Sequence, residues 1–276
     1  MIKIGQYNNL RISKFVDFGL YLDDGDGGEI LLPKRYIPEN VDVDDDIDVF
    51  IYVDSDDTLI ATTLKPLAIV GEASYLRVAE INDVGAFLDW GLSKDVLVPY
   101  GEQHREMEVG RSYIVYLYID KYADRIVASS KINKFIKDEA TCYEQNQEVD
   151  LMIAGKTDLG YKAIINNQHF GMLFESDVFQ DLKFGLKLKG YIKNVRDDNK
   201  IDLTLKLTNK ESRDSLTEKI IHHLKNNDGQ STITDKSRPE VIYKQFAVSK
   251  SNYKKALGGL YKKRIISIDK DKITLL

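Results

Sequence analysis

The feature that most constrains this chain is a strand pattern that recurs at a fixed spacing. Residues 16–22, centred on Gly19, precede an apolar run over 28–33 that ends at Pro33; an acidic loop and two more apolar runs, 47–54 and 59–63, follow. The second unit repeats the order with residues 83–88 around Gly85, 95–99 ending at Pro99, then 109–120 and 125–130. Gly19 and Gly85 are 66 residues apart, and so are Pro33 and Pro99. Two landmarks at one offset mark an internal repeat. A more diverged third unit runs through 159–165, 170–177 and 188–205. There Ile201, Leu203 and Leu205 alternate with Asp202 and Thr204 as in a half-buried strand, and Asp197-Asp198-Asn199 supplies a turn. Short strands rich in β-branched and aromatic residues, broken by Gly, Asp and Asn about every ten residues, predict small barrels. Units of roughly 60 to 70 residues bury little core each, so neighbours are expected to pack together. Leu67, Ile69, Phe135 and Ile136, in the connecting stretches 64–71 and 132–147, are the expected joints.

The C-terminal part changes period. Leu216, Ile220, Ile221 and Leu224 fall at i, i+4, i+5 and i+8, the stripe of an amphipathic helix, which Asp228-Gly229 ends. Pro239 opens a second helix through Val241, Ile242 and Phe246. Ser249 is placed to cap a third, whose inward positions Tyr253, Ala256, Leu257 and Leu260 leave Lys254, Lys255, Lys262 and Lys263 outside. Residues 265–268 and 272–276 read as a hairpin wing, and three helices with a terminal hairpin predict a winged helix.

Charge divides the chain in the same place. The 276 residues carry a net -5, but residues 210–276 hold 15 Lys/Arg against 8 Asp/Glu, while residues 1–64 hold 5 against 14. An acidic head and a basic tail point to different partners for different segments.

Taken with these landmarks, the order of glycine-centred strand, short apolar strand, long strand, turn and closing strand resembles the S-one domain of ribosomal small-subunit proteins, an OB-type barrel that binds RNA. Three such units followed by a winged helix resemble the conserved virulence factor B family of bacterial RNA-binding regulators. The resemblance covers nearly the whole chain and is most specific over residues 246–265. The expected architecture is mainly β: OB-type five-stranded barrels at 1–64 (acidic), 65–139 and 140–208, then a small α+β winged-helix domain at 209–276 (basic).

The resemblance also implies where RNA would lie. The face of an S-one domain carries an aromatic before the glycine, another two residues after it, an aromatic or His on the next strand, and Asp and Arg near the last turn. Unit one matches with Phe18, Tyr21 and Asp54, but has Leu32 and Thr58 at the other two places. Unit two has Phe87, Asp120 and Arg125, with Val84 and Val98; unit three has Lys162, Phe174, Arg196 and Lys200, with Leu159 first. Fourteen carboxylates in unit one would repel a phosphate chain within a Debye length of about 8 Å. Unit three adds Lys193 to its cations and adjoins the basic tail, so it and the winged helix are the expected RNA-gripping end. On the winged helix the candidates are Lys250, Lys254, Lys255, Lys262, Lys263 and Arg264. No Arg or Asn pair there is an obvious base reader, so phosphate-directed binding of low sequence specificity is expected. The competing readings are sheet packing for Phe18, Tyr21 and Phe87, a solvated hairpin edge for Lys193, Arg196 and Lys200, and a solvated lysine face for the third helix.

Other chemistries find little support. The acidic run at 42–48 lacks the spacing of a calcium loop, and His104, His169 and His222-His223 lack metal-ligand spacing. One cysteine, Cys142, forms no intramolecular disulfide. Phosphate-binding and nucleophile motifs are missing, so no enzyme activity, metal or cofactor is expected. No apolar run approaches the roughly 20 residues of a membrane span, and the first residues lack the apolar core of a signal peptide, so a cytoplasmic protein without a membrane partner is expected. The leading expectation is a non-enzymatic protein that binds single-stranded RNA and regulates transcript fate or translation. Its rivals are a winged-helix regulator of DNA transcription and an adaptor docking on ribosome or nuclease.

Overall fold

A computed structural model describes residues 2–54, 58–121, 124–178, 181–206, 210–246, 248–269 and 271–276. The chain divides into two compact units, Met1–Ile136 and Lys137–Leu276. The boundary expected between residues 208 and 209 lies outside the described residues.

The first unit holds two closed five-stranded barrels. In the first, β1 (Tyr7–Val16), β2 (Gly19–Asp23), β3 (Glu29–Pro33), β4 (Asp46–Val53) and β5 (Leu59–Thr62) close in the order β1-β2-β3-β5-β4. Alternation places Leu20 and Leu22 of β2, Ile30 and Leu32 of β3, and Val49 and Ile51 of β4 in one core. The second repeats this order with β6 (Ala73–Asn82), β7 (Gly85–Asp89), β8 (Val96–Pro99), β9 (Ser112–Asp120) and β10 (Arg125–Ser129). The two barrels share apolar packing, since Phe50 and Tyr52 of β4 join the core that contains Trp90. Of the expected joints, Ile136 is buried, Ile69 packs on the core around Trp90 and Phe135 stacks on Tyr116 with ring centroids 4.4 Å apart, whereas the Leu67 side chain is 57% exposed and its engagement is the backbone N–H donated to Trp90 O at 2.7 Å.

The second unit opens with a third closed barrel of the same order, β11 (Glu148–Thr157), β12 (Gly160–Ile165), β13 (His169–Phe174), β14 (Lys187–Val195) and β15 (Ile201–Thr204). Its C-terminal part contains α1 (Lys210–Lys225), β16 (Gln230–Ser231), α2 (Pro239–Phe246), α3 (Lys250–Lys262), β17 (Ile266–Ile268) and β18 (Ile273–Leu275). Ser249 caps α3 by accepting the Asn252 N–H at 3.0 Å. The helix ends in a Schellman-type motif: Ile265 N–H donates to Leu260 O, Arg264 N–H to Tyr261 O, and Arg264 itself is left-handed at φ 56°. The wing is a three-stranded sheet in the order β16-β18-β17.

The structure corrects the expected position of the repeated glycine. It does not sit inside a strand but opens β2, β7 and β12, after the two-residue turns Asp17-Phe18, Asp83-Val84 and Asp158-Leu159. A Cβ at Gly19 would lie 2.3 Å from Leu32 O, at Gly85 2.3 Å from Val98 O, and at Gly160 2.1 Å from Leu173 O. Each glycine is therefore required by the backbone of the next strand. The strand before each turn, β1, β6 or β11, was not read from the sequence. All three carry a bulge at the same place, between Ile12 and Lys14, Val78 and Glu80, and Ile153 and Gly155. An extra residue breaks the two-residue alternation on which a strand reading depends.

Candidate nucleic-acid interface

The hairpin corner presents an exposed apolar side chain in every barrel: Phe18, Val84 and Leu159 are 58%, 55% and 62% exposed. Two residues past the glycine, Tyr21, Phe87 and Lys162 point away from the barrel cores. In the first barrel Phe18 and Tyr21 pack edge to face with centroids 6.3 Å apart. Lys14 Nζ lies 5.0 Å from the Tyr21 ring centroid and 2.6 Å from Glu29 Oε2. This face therefore does hold a cation. The sequence concealed it because the bulge brings Lys14 opposite Tyr21. In the second barrel Phe87 and Arg125 line a cavity with Tyr52 and Trp90.

In the third barrel Phe174 pairs with Gly160, the register held by Pro33 and Pro99 in the first two barrels. The residue equivalent to Leu32 and Val98 is Leu173, and all three are fully buried. Phe174 is thus a strand-end residue rather than the aromatic of the middle strand, and the Arg196 guanidinium lies 5.5 Å from its ring centroid. Lys162 Nζ is 3.6 Å from the Phe170 centroid and 3.0 Å from Asp138 Oδ1. Lys193 pairs with Asp177, Arg196 with Asp202 at 2.6 Å, and Lys200 with Asp198 at 3.5 Å. The hydrogen bond that Arg196 donates to Asp202 holds its pKa above the ordinary value. Every cation nominated on this barrel therefore has a carboxylate partner, drawn from the connector, the short 3-10 turn after β13, the neighbouring strand or its own hairpin. Such exposed pairs contribute only about 0–1 kcal/mol each, so phosphate can compete for the cations.

The third helix differs. Tyr253, Ala256, Leu257 and Leu260 are buried, while Lys254, Lys255, Lys262, Lys263 and Arg264 are exposed and Lys250 is half-exposed. Among the described residues no side chain of these six takes part in an ion pair or hydrogen bond. At 100° per residue, Ser251, Lys254, Lys255, Gly258 and Lys262 fall on one arc, opposite the buried stripe. Tyr261, 57% exposed beside them, adds an aromatic that the periodicity did not single out. Charge on one helix face with nothing to neutralise it attracts a polyanion.

Residues 4–64 and 70–131 match the S1 domain, and residues 218–275 match the CvfB-like winged helix domain. Together they span about two thirds of the chain. Conserved virulence factor B of Staphylococcus epidermidis is 25% identical over 265 residues, covering 92% of this chain and 89% of that protein.

The chain belongs to the conserved virulence factor B family.

Uncharacterized protein YitL of Bacillus subtilis is 28% identical over 272 residues, covering 94% of this chain and 89% of that protein. A crystal structure described as a multidomain protein with nucleic acid binding domains from Streptococcus pneumoniae shares 26% identity over 99% of this chain and 98% of that one, with a TM-score of 0.42. S1 and winged-helix domains bind nucleic acid, so this member of the family is a nucleic-acid-binding protein. Its third barrel falls outside both matches and is placed with the other two by strand order and by Gly160. Among the described residues no cluster of His, Cys, Asp or Glu could hold a metal ion, and no helix is long and apolar enough to cross a membrane.

Proposed function

We propose that this protein is a non-enzymatic regulator of transcript fate or translation that grips single-stranded RNA through the third barrel and the winged helix, with little sequence preference. The observation that carries this reading is the cationic arc of α3, unpaired among the described residues, set against a barrel face whose cations are already paired. Phosphate contacts from such lysines supply affinity without reading sequence. The exposed aromatics Phe18 and Tyr261 offer faces on which bases stack.

Retardation of a labelled single-stranded RNA by the whole protein, at low and at physiological salt, tests the reading. Binding at low salt that weakens steeply as salt rises is expected. Failure to retard the RNA at low salt would end it.

A further inference from the structure

The cavity between the first and second barrels, both in the unit Met1–Ile136, has a volume of about 260 Å³. That is below the roughly 300–1,000 Å³ of pockets that hold drug-sized ligands, and suits one inserted side chain. Its walls are aromatic and aliphatic, with Tyr52 from the first barrel and Phe87, Trp90 and Leu97 from the second. The Trp90 indole N–H donates to Lys94 O at 2.6 Å, and the Tyr52 hydroxyl lies 3.2 Å from Ser93 Oγ. The polar edges of both rings are thus satisfied, and what they offer the cavity is apolar surface, which favours an apolar group over water.

Three charged residues line the cavity, Lys94, Asp95 and Arg125, and both cations are engaged. Lys94 Nζ donates to Asp54 O at 2.5 Å, and Arg125 has a partner of its own. Asp95 is half-buried, and among the described residues its carboxylate has no hydrogen-bond or ion-pair partner. Burial, reinforced by Asp89 and Glu80, pushes its pKa up. Glu80 stands opposite Phe87 in the pairing of β6 with β7 and likewise has no such partner among the described residues. The charge left open beside the cavity is therefore negative. Its sign agrees with that of the whole unit, since residues 1–136 hold 14 Lys/Arg against 24 Asp/Glu. Such a field attracts a polycation and repels a phosphate chain.

We propose that this cavity docks a basic segment of a partner protein, with one aromatic or large aliphatic side chain inserted between Tyr52 and Trp90 and a neighbouring Lys or Arg on Asp95. A single anchor buried in a pocket, with charged contacts around it, supplies most of the affinity of a short segment. The site lies outside the third barrel and the winged helix, so the proposal goes beyond the RNA reading and does not depend on it.

Trp90 is the only tryptophan in the chain, so its emission reports directly on the cavity. The whole protein is titrated with the peptide Lys-Lys-Phe-Lys-Lys and, separately, with Lys-Lys-Ala-Lys-Lys, which carries the same charge without the anchor. A saturable change in Trp90 emission is expected with the first peptide, at an affinity at least about tenfold above that of the second, the effect of burying one aromatic side chain. Asp95→Lys, at a half-exposed position that leaves the walls intact, is expected to weaken the first peptide about threefold or more. Single-stranded RNA alone is expected to leave Trp90 unchanged. Equal affinity for the two peptides, or indifference to Asp95→Lys, would reduce the site to diffuse attraction by an acidic surface and overturn the proposal. Silence of Trp90 with the first peptide would overturn it too. A saturable response to RNA that Asp95→Lys strengthens would assign the cavity to nucleic acid instead.

Discussion

Arg196 Nη2 lies 2.6 Å from Asp202 Oδ1, with Nε of the same guanidinium 2.7 Å from that oxygen. If Arg196 grips RNA, the carboxylate occupies the place a phosphate oxygen would take. Asp202→Asn keeps the shape and removes the charge. RNA affinity is expected to rise severalfold, and log K against log salt to steepen by about 0.7, the increment of one phosphate on a single strand. Unchanged affinity and slope, measured by retardation across a salt series, would mean that Arg196 touches no phosphate.

Lys254→Ala and Lys255→Ala remove charge from the exposed side of α3 without touching its buried stripe. Thermal stability should stay within about 0.5 kcal/mol of the parent. Each substitution is expected to weaken RNA binding about equally across sequences and to flatten the salt slope by about 0.7. Loss of affinity for one sequence alone would identify a base reader instead.

Gly258 sits in the middle of the lysine arc, and a Cβ there meets nothing within 4 Å. A glycine inside a helix costs roughly 0.5–1 kcal/mol relative to alanine, and nothing in the described packing requires it. Gly258→Ala should stabilise the fold by that margin, read as a higher melting temperature, and lower RNA affinity because the backbone no longer admits close approach. A stabilised variant with full affinity would show that RNA does not approach this turn.

His223 is expected to give the winged helix a pH response. Burial lowers its pKa below 6.5; its Nε2 lies 3.0 Å from Ser231 Oγ, and Gln245 Nε2 lies 3.1 Å from its Nδ1. Protonating Nδ1 would turn a donor–acceptor contact into two opposed donors. With the folded pKa below the unfolded one, the unfolded chain binds more protons between them, so stability rises with pH through that window and is lost as pH falls below about 6.5. Calorimetric melting at several pH values should show this loss, and His223→Gln should reduce it. His169, also lowered chiefly by burial, will leave a remainder. A parent whose melting temperature is flat below pH 6.5 would contradict the assignment.

The repeat was legible because its cause is steric. Gly19 and Gly85 cannot carry a Cβ against Leu32 O and Val98 O, so the same residue recurs at the same offset. The helices of the tail were legible because Leu216, Ile220, Leu224, Tyr253, Leu257 and Leu260 keep one period and are all buried. The first strand of each barrel was hidden by its bulge, and the role of Phe174 by a one-residue register difference that only strand pairing reveals. Charge along the chain revealed the basic tail but not the pairing on the third barrel. Asp138 and Asp177 reach Lys162 and Lys193 from 24 and 16 residues away. Lys14 over Tyr21 and the cavity around Trp90 likewise depend on contacts between strands and between barrels, which no local pattern records.

The proposed grip on single-stranded RNA carries a preference for it over duplex. The most direct measurement is a competition in which the whole protein, bound to labelled single-stranded RNA at physiological salt, is challenged with unlabelled duplex DNA of the same sequence and, in parallel, with unlabelled RNA. The RNA competitor is expected to displace the label, and duplex DNA at the same concentration to leave it bound. Displacement by duplex DNA as readily as by RNA would contradict it.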